Sequence, residues 1–172
     1  MRNILGAVLF LLPSIFSNGQ GRESLVIVWP EEYNWKIGSN QETESIHMME
    51  LIPGDEKIEN WTIMGTMMSI KGAKIPVDKA MNLTYSQAKQ NAPKAVLTLI
   101  DKNEIGSNPW IIFKIEAPRF KNDKRPESQL YYIIQGESSL YSNFVAVKEE
   151  KLSEAFVEKW KVVFKASELV FQ

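Results

Sequence analysis

Four segments rich in β-branched and aromatic residues follow one another in the second half of the chain and constrain the fold most. They span residues 94–101, 110–116, 130–135 and 140–147. The short Gly-Glu-Ser-Ser connection at 136–139 predicts a hairpin, and the close succession of the segments predicts antiparallel pairing. Several segments are apolar on both faces, as where Ile111 and Phe113 alternate with Ile112. We therefore expect a sheet that is covered on both sides over part of its area.

Two segments change from the strand period to the helical one. Apolar residues recur at helical spacing over 77–88, where Pro76 suits the first turn and Pro93 forces a stop. A second amphipathic helix is expected over 153–165, with Ser153 available as its N-cap. Runs of strands broken by two helices, without βαβ alternation, predict an α+β domain. Its mainly antiparallel β-sheet would have two principal helices packed on it.

The first part of the chain supplies further short β-rich runs. Residues 25–29 and 33–37 lie on either side of Pro30 and are predicted to form a first strand pair. Further strands are expected over 43–51 and 63–70, with a short edge strand over 168–172.

Residues 1–19 are predicted to be a cleavable secretory signal, with Arg2 as its charged start and residues 4–16 as its apolar run. Cleavage there would leave residues 20–172 as a single domain, and cleavage after Gly21 is the close alternative. An uncleaved membrane anchor is the other interpretation. The apolar run is shorter than the roughly 20 residues that a bilayer span needs, so we expect cleavage and no membrane span in the mature chain.

The sequence contains no cysteine, which excludes disulfides, thiolate metal sites, a cysteine nucleophile and a lipid-modified cysteine. An exported domain without disulfides fits a bacterial envelope at least as well as a eukaryotic secretory route, so we expect a periplasmic or extracellular location. The formal net charge of −1 offers no field that would attract nucleic acid, and no nucleic-acid partner is expected.

Catalytic motifs are matched only in fragments. Tyr85 and Lys89 have the spacing of short-chain dehydrogenases, but no glycine-rich nucleotide-binding turn accompanies them. Ser86 and Lys89 fit the first motif of penicillin-binding enzymes, whose partner motifs are missing. We expect no catalytic residue and no cofactor from either pattern.

His47 is the single histidine and limits any relay or metal cluster to arrangements built around it. Glu44, His47 and Glu50 would converge only on a helix, whereas this segment is predicted to be a strand. The acidic pairs at 31–32 and 55–56 would suit glycoside hydrolysis, but adjacent acids on turns are usually solvated. No metal site is expected.

Residues 117–128 carry four basic and two acidic side chains between two predicted strands. Arg119, Lys121, Lys124 and Arg125 would be held near one another there, and loops on a rigid sheet are where binding residues concentrate. These four are the candidate ligand-binding residues. The alternative is a solvated polar loop without a partner.

Residues 51–62 place a Pro-Gly-Asp-Glu turn and a short acidic stretch before Asn60, Trp61 and Thr62. The segment resembles a family of uncharacterised exported bacterial proteins, in which a Pro-Gly-Glu turn precedes Asn-Trp-Thr and then a strand. The likeness extends to Gln135, Gly136, Leu140, Tyr141 and Trp160. It implies a fold but no reaction, cofactor or catalytic residue. The order of elements is also similar to the PsbP/Mog1-type α+β sandwich, whose members are mostly accessory and binding proteins.

Trp61 either plugs the end of the core or stands exposed as a ligand platform. Its apolar neighbours Ile58, Ile63 and Met64 favour the plug, which would make the Asn-Trp-Thr motif structural.

The sequence thus predicts an exported, non-catalytic binding or accessory protein whose partner is an envelope protein or a small ligand. The alternatives are a small hydrolase with an unrecognised active site and a structural subunit of an envelope assembly. An enzyme should show a pocket with two or more convergent polar side chains of displaced pKa, whereas a binding module should lack them.

Overall fold

A computed structural model describes residues 22–171, which form nine β-strands, two α-helices and one short 3-10 helix. The strands are β1 Glu23–Val26, β2 Trp35–Glu42, β3 Ile46–Pro53, β4 Ile63–Lys71, β5 Val96–Asn103, β6 Trp110–Ala117, β7 Glu127–Gln135, β8 Ser139–Val147 and β9 Glu168–Phe171. The helices are α1 Val77–Asn91 and α2 Glu154–Lys165, and the 3-10 helix is Glu31–Tyr33. The predicted signal at residues 1–19 and both predicted cleavage positions lie outside the described residues.

Seven of these strands form one antiparallel sheet in the order β2-β3-β4-β8-β7-β6-β5, and β1 pairs with β9 in a separate two-stranded ribbon. The predicted hairpins β5–β6, β6–β7 and β7–β8 are confirmed, the last with its turn at residues 136–138. The prediction of an α+β domain with a mainly antiparallel sheet and two principal helices is therefore confirmed.

The sheet carries a hydrophobic core on each face. On one side α1 lies across β6 and β7, with Met81 among its buried residues. On the other side α2 contributes the fully buried Trp160 and Phe164. Ile111 and Ile112 are adjacent in β6, belong to opposite cores and are both 0% exposed. The expected double covering of the sheet is confirmed.

The helix boundaries follow local sequence signals. α1 begins directly after Pro76 and ends before Pro93, as expected. The Ser153 hydroxyl caps α2 by accepting a hydrogen bond from the Phe156 N–H at 3.2 Å. No helix within residues 22–171 is long and apolar enough to cross a membrane.

The predicted pairing of residues 25–29 with 33–37 is wrong. β1 pairs with β9, and β2 pairs with β3 instead. The 3-10 helix lies between β1 and β2, and Asn34 follows it in the left-handed region at φ 48°. This connection directs the two strands into different sheets.

Trp29 shows why the chain leaves β1 in that direction. It packs on the α2 face of the sheet, with its ring 5.6 Å from that of Trp35 and 5.5 Å from that of Trp160. Its ring lies against Gly65 of β4, where a Cβ would stand only 2.4 Å from the ring atom Cζ3. Burial of a large aromatic ring, which local turn signals do not reveal, sets the path of the chain.

Candidate functional site

A cleft of about 200 Å³, here called the α1 cleft, opens between α1 and the first half of β7. Its α1 wall carries Thr84, Gln87 and Asn91. These side chains share one helical face because they are spaced by three and four residues. Gln87 and Asn91 are exposed, so their amides lie at the mouth of the cleft. Each amide offers both donors and an acceptor to an incoming molecule.

The opposite wall of the α1 cleft consists of alternate residues of β7. The Tyr131 hydroxyl donates to Gln129 Oε1 at 2.5 Å, and Gln129 Nε2 donates to Glu127 Oε1 at 2.7 Å. Lys148 from the end of β8 donates to Glu127 Oε2 at 2.6 Å. The row is thus a continuous hydrogen-bonded chain in which the charge of Glu127 is paired with that of Lys148.

Tyr131 is fixed by aromatic contacts as well as by this chain. Its ring stacks on that of Phe113 at 4.9 Å and contacts that of Phe144 at 4.8 Å. Burial raises the pKa of the Tyr131 hydroxyl, and the charge of Glu127 raises it further. Tyr131 therefore keeps its proton near neutral pH and acts as a hydrogen-bond donor.

The loop between β6 and β7, residues 118–126, closes the outer end of the α1 cleft. Phe120 lines the cleft, and the Lys121 N–H donates to the Asn91 carbonyl at 2.8 Å. This bond docks the loop on the last turn of α1. The predicted binding residues Arg119, Lys121, Lys124 and Arg125 lie on this loop and are all exposed, but none of them is part of the cleft lining.

The four basic residues are not equivalent. Arg125 donates to Asp123 through Nε and through Nη2, the latter at 2.8 Å. Arg119, Lys121 and Lys124 make no ion pair with any residue in the range 22–171. Three of the four predicted cations are therefore available to a ligand, and the fourth is engaged within the loop.

The Arg125–Asp123 pair predicts a pH response. Hydrogen bonds from Arg125 lower the pKa of Asp123 to about 2. Because this value lies below the usual Asp pKa of about 3.9, the pair stabilises the loop fully above that pH and loses its effect as the pH falls towards 2. Carboxyl-carbon NMR titration should show this depressed midpoint. Arg125→Gln should return it towards the ordinary value, and an unchanged midpoint would show that another group sets the pKa.

Trp61 lies beside the same end of the sheet but does not plug the core. It is half-buried, belongs to neither core, and has Lys148 Nζ 3.8 Å from its ring centroid. Thr62 is held by Glu56, whose Oε2 accepts from the Thr62 N–H at 2.7 Å, and the Asn60 N–H donates to the Lys57 carbonyl. The motif therefore forms a closed loop that presents one face of Trp61 to Lys148.

The residues that match fragments of catalytic motifs, and the single histidine, do not line the α1 cleft. The Tyr85 hydroxyl donates to the Ala95 carbonyl, and Lys89 donates to the Pro93 carbonyl. His47 Nε2 lies 2.7 Å from Asn40 Oδ1 on the β2–β3 hairpin. Within residues 22–171, no group of three acidic or histidine side chains is arranged to hold a metal ion.

Sequence reasoning missed the β7 row of Glu127, Gln129 and Tyr131. In the sequence, polar residues occupy one face of this strand and mostly apolar residues the other. The same pattern is found in strands whose polar face is simply exposed to solvent. Only the position of α1 shows that these residues are enclosed. No protein-family model matches the sequence, and no curated protein matches it. Function therefore has to be inferred from the site itself.

Proposed function

We propose that this chain is an exported, non-catalytic binding protein of the bacterial envelope or exterior, and that it holds a small hydroxylated anion in the α1 cleft. The observation that carries the proposal is the convergence of polar side chains from α1 and β7 on one cleft, to which the basic loop adjoins through Phe120. Sites of this kind, with a few convergent polar groups in a concavity, are the usual form of small-molecule sites.

The charge at the α1 cleft favours an anion. Glu127 is the carboxylate of its lining, and Lys148 pairs with it. Arg119, Lys121 and Lys124 then leave an excess of positive charge on the adjoining loop. Because these three side chains are exposed, their attraction for an anion should weaken as salt is added.

The size and polarity of the α1 cleft favour a single small ring bearing hydroxyl groups. Its volume of about 200 Å³ corresponds to roughly seven water molecules at about 30 Å³ each. A hydroxyl both donates and accepts, and the amides of Gln87 and Asn91 can meet both needs. Ala88 and Ile115 supply apolar wall for the carbon face of such a ring.

The direction of the displaced pKa values supports binding over the hydrolase alternative. General acids and bases work best when their pKa lies near the operating pH. Within residues 22–171, displaced carboxyl pKa values lie below the ordinary range and displaced tyrosine values lie above it. They belong to Asp78, Asp101, Asp123, Tyr131, Tyr132 and Tyr141. In the α1 cleft the pKa of the Tyr131 hydroxyl is raised by burial, away from neutrality.

Export and family membership remain part of the proposal. A basic start followed by an apolar run supports a cleaved signal, and the intact mass of the secreted product should correspond to a start at Gln20 or Arg22. Recovery of Met1 in the exported product would oppose it.

The Pro-Gly turn before Asn-Trp-Thr supports kinship with the uncharacterised exported bacterial family. Helices on both faces of an antiparallel sheet support the PsbP/Mog1-type sandwich and an accessory role.

The proposal is tested with three sugars that share a ring and differ in charge: glucuronate, glucose and glucosamine. Titration calorimetry of the mature protein should show affinity falling in the order glucuronate, glucose, glucosamine, with steps of about tenfold in Kd.

Replacing Lys121 and Lys124 by Ser should remove most of the preference for glucuronate and flatten the salt dependence of its binding. The matched control replaces the exposed Lys71 and Lys79 and changes net charge equally. Equal losses in both variants would show a general charge effect and no site at this loop.

A further inference from the structure

A second cavity, here called the ribbon cavity, lies at the other end of β7 and has a volume of about 660 Å³. It is an open cavity bordered by the β1–β9 ribbon, the β7–β8 turn, the β5–β6 loop and the start of α1. Its apolar wall consists of Ile75, Pro76, Pro109, Leu169 and Phe171. Phe171 is 58% exposed although it belongs to a strand, so part of its ring is open to solvent at this cavity.

The polar wall of the ribbon cavity contains a buried carboxylate. Glu23 is 7% exposed, and it accepts from the Glu137 N–H at 2.5 Å and from the Ser138 N–H at 3.1 Å. The hydroxyls of Ser138 and Tyr141 add donors at 3.1 and 3.3 Å. Gly136 permits this close approach, because a Cβ there would stand 2.4 Å from Glu23 Oε1.

The donors are distributed unevenly over the two carboxylate oxygens. Among donors in residues 22–171, Oε1 of Glu23 accepts three hydrogen bonds, whereas Oε2 accepts one, from the Glu137 N–H. Each oxygen of an ionised carboxylate has about two acceptor positions, so three donors share those of Oε1 while Oε2, with a single donor, retains one. Glu23 is part of the cavity lining, so its carboxylate is within reach of a molecule bound there.

No cation within residues 22–171 pairs with Glu23. Arg22, its neighbour in sequence, extends to Glu42 at 3.7 Å, and Lys74 on the cavity wall forms no ion pair with described residues. Glu137 adds a second carboxylate to the wall. Buried charges are normally paired, and the cavity lining here carries more negative than positive charge.

We propose that the ribbon cavity binds a small molecule that joins a primary ammonium group to an apolar body. The ammonium group supplies the missing cation, donating to Oε2 of Glu23 and interacting with Glu137. The apolar body lies against Phe171, Leu169 and Ile75. This inference is independent of the α1 cleft, which lies at the opposite end of β7 and favours the opposite charge.

The test uses three probes with one aromatic body and different head groups: phenethylamine, phenethyl alcohol and phenylacetate. In amide NMR titrations of the mature protein, phenethylamine should shift the amides of Gly136, Glu137 and Ser138 and saturate. Its Kd should be at least about tenfold lower than that of the alcohol, and phenylacetate should not bind there. Equal binding of amine and alcohol, or no saturable shift at this turn with the amine, would overturn the proposal.

Substitutions assign the head group and the body separately. Glu137→Gln, at an exposed position, should weaken phenethylamine binding several-fold and leave the alcohol unchanged. Lys74→Gln is the matched control and should leave amine affinity equal or tighter, so weaker binding in this variant would contradict the assignment. Phe171→Ala should weaken amine and alcohol alike. Glu23→Gln should abolish the preference for the amine over the alcohol. Because the β7–β8 turn donates hydrogen bonds to Glu23, thermal unfolding must first show that this variant is as stable as wild type.

Discussion

Replacing Trp160 by alanine is expected to lower the free energy of unfolding by about 3 to 5 kcal/mol, as for other buried large aromatic residues. Trp160 is 0% exposed at the centre of the α2 face. Its ring centroid lies within 6.3 Å of those of five aromatic side chains: Trp29, Tyr33, Trp35, Phe156 and Phe164. Truncation therefore leaves a cavity lined by these rings. Urea unfolding followed by circular dichroism measures the change.

Trp61→Ala is the matched control, because it removes the same side chain from outside both cores. The half-buried ring mainly loses its contact with Lys148, a cation–π interaction typically worth about 0.5 to 1 kcal/mol near a surface. Equal losses for Trp160→Ala and Trp61→Ala would contradict this placement of the core. Trp160→Ala should not alter sugar affinity in the folded protein, since α2 lies on the sheet face opposite the α1 cleft.

Gly65→Ala is expected to destabilise the protein by about 2 to 3 kcal/mol, near the upper end of the usual cost of overpacking. Glycine inside a strand is ordinarily less stabilising than alanine, so a loss of stability from Gly65→Ala would be the opposite of the usual effect. The cause is the ring of Trp29, whose Cζ3 and Cη2 atoms would lie 2.4 and 2.6 Å from the new methyl group. Trp29 would have to leave its contacts with Trp35 and Trp160 and its 3.3 Å contact with Met67 Sδ.

A double-mutant cycle identifies this ring as the cause. In a Trp29→Ala background the space is open, and Gly65→Ala should then be neutral or slightly stabilising. The coupling between the two positions should reach about 2 kcal/mol, within the range found for residues in contact. Additive effects in the cycle would show that Gly65 is required for a backbone reason instead.

The elements that depend on local patterns could be predicted from the sequence. Strands β5 to β8 are rich in β-branched and aromatic residues and are separated by turn-forming segments, and the proline positions and Ser153 mark the helix ends. The β1–β9 pairing could not be predicted, because its four residue pairs join opposite ends of the described chain. It is reinforced by hydrogen bonds from the β7–β8 turn to Glu23, whose burial no local pattern reveals.

The candidate site could be predicted only in part. The charge run identified Arg119, Lys121, Lys124 and Arg125 as a loop, but its docking on α1 depends on the backbone bond between Lys121 and Asn91 and on the packing of Phe120, which the charge pattern does not reveal. Spacing within α1 and β7 shows which residues share a face. It does not show that the two faces meet, since that depends on how the helix packs across β6 and β7. For the same reason, the apolar neighbours of Trp61 in sequence wrongly suggested a plug.

The most direct test of the central claim is glucuronate affinity in two tryptophan variants of α1. Gln87 lines the α1 cleft, whereas Gln90 is an equally exposed glutamine of the same helix outside that lining. If the ligand occupies the cleft, Gln87→Trp should block it and weaken binding by at least about tenfold, a loss of about 1.4 kcal/mol, while Gln90→Trp should bind as wild type does. Wild-type affinity in Gln87→Trp, or equal losses in both variants, would contradict binding in the cleft.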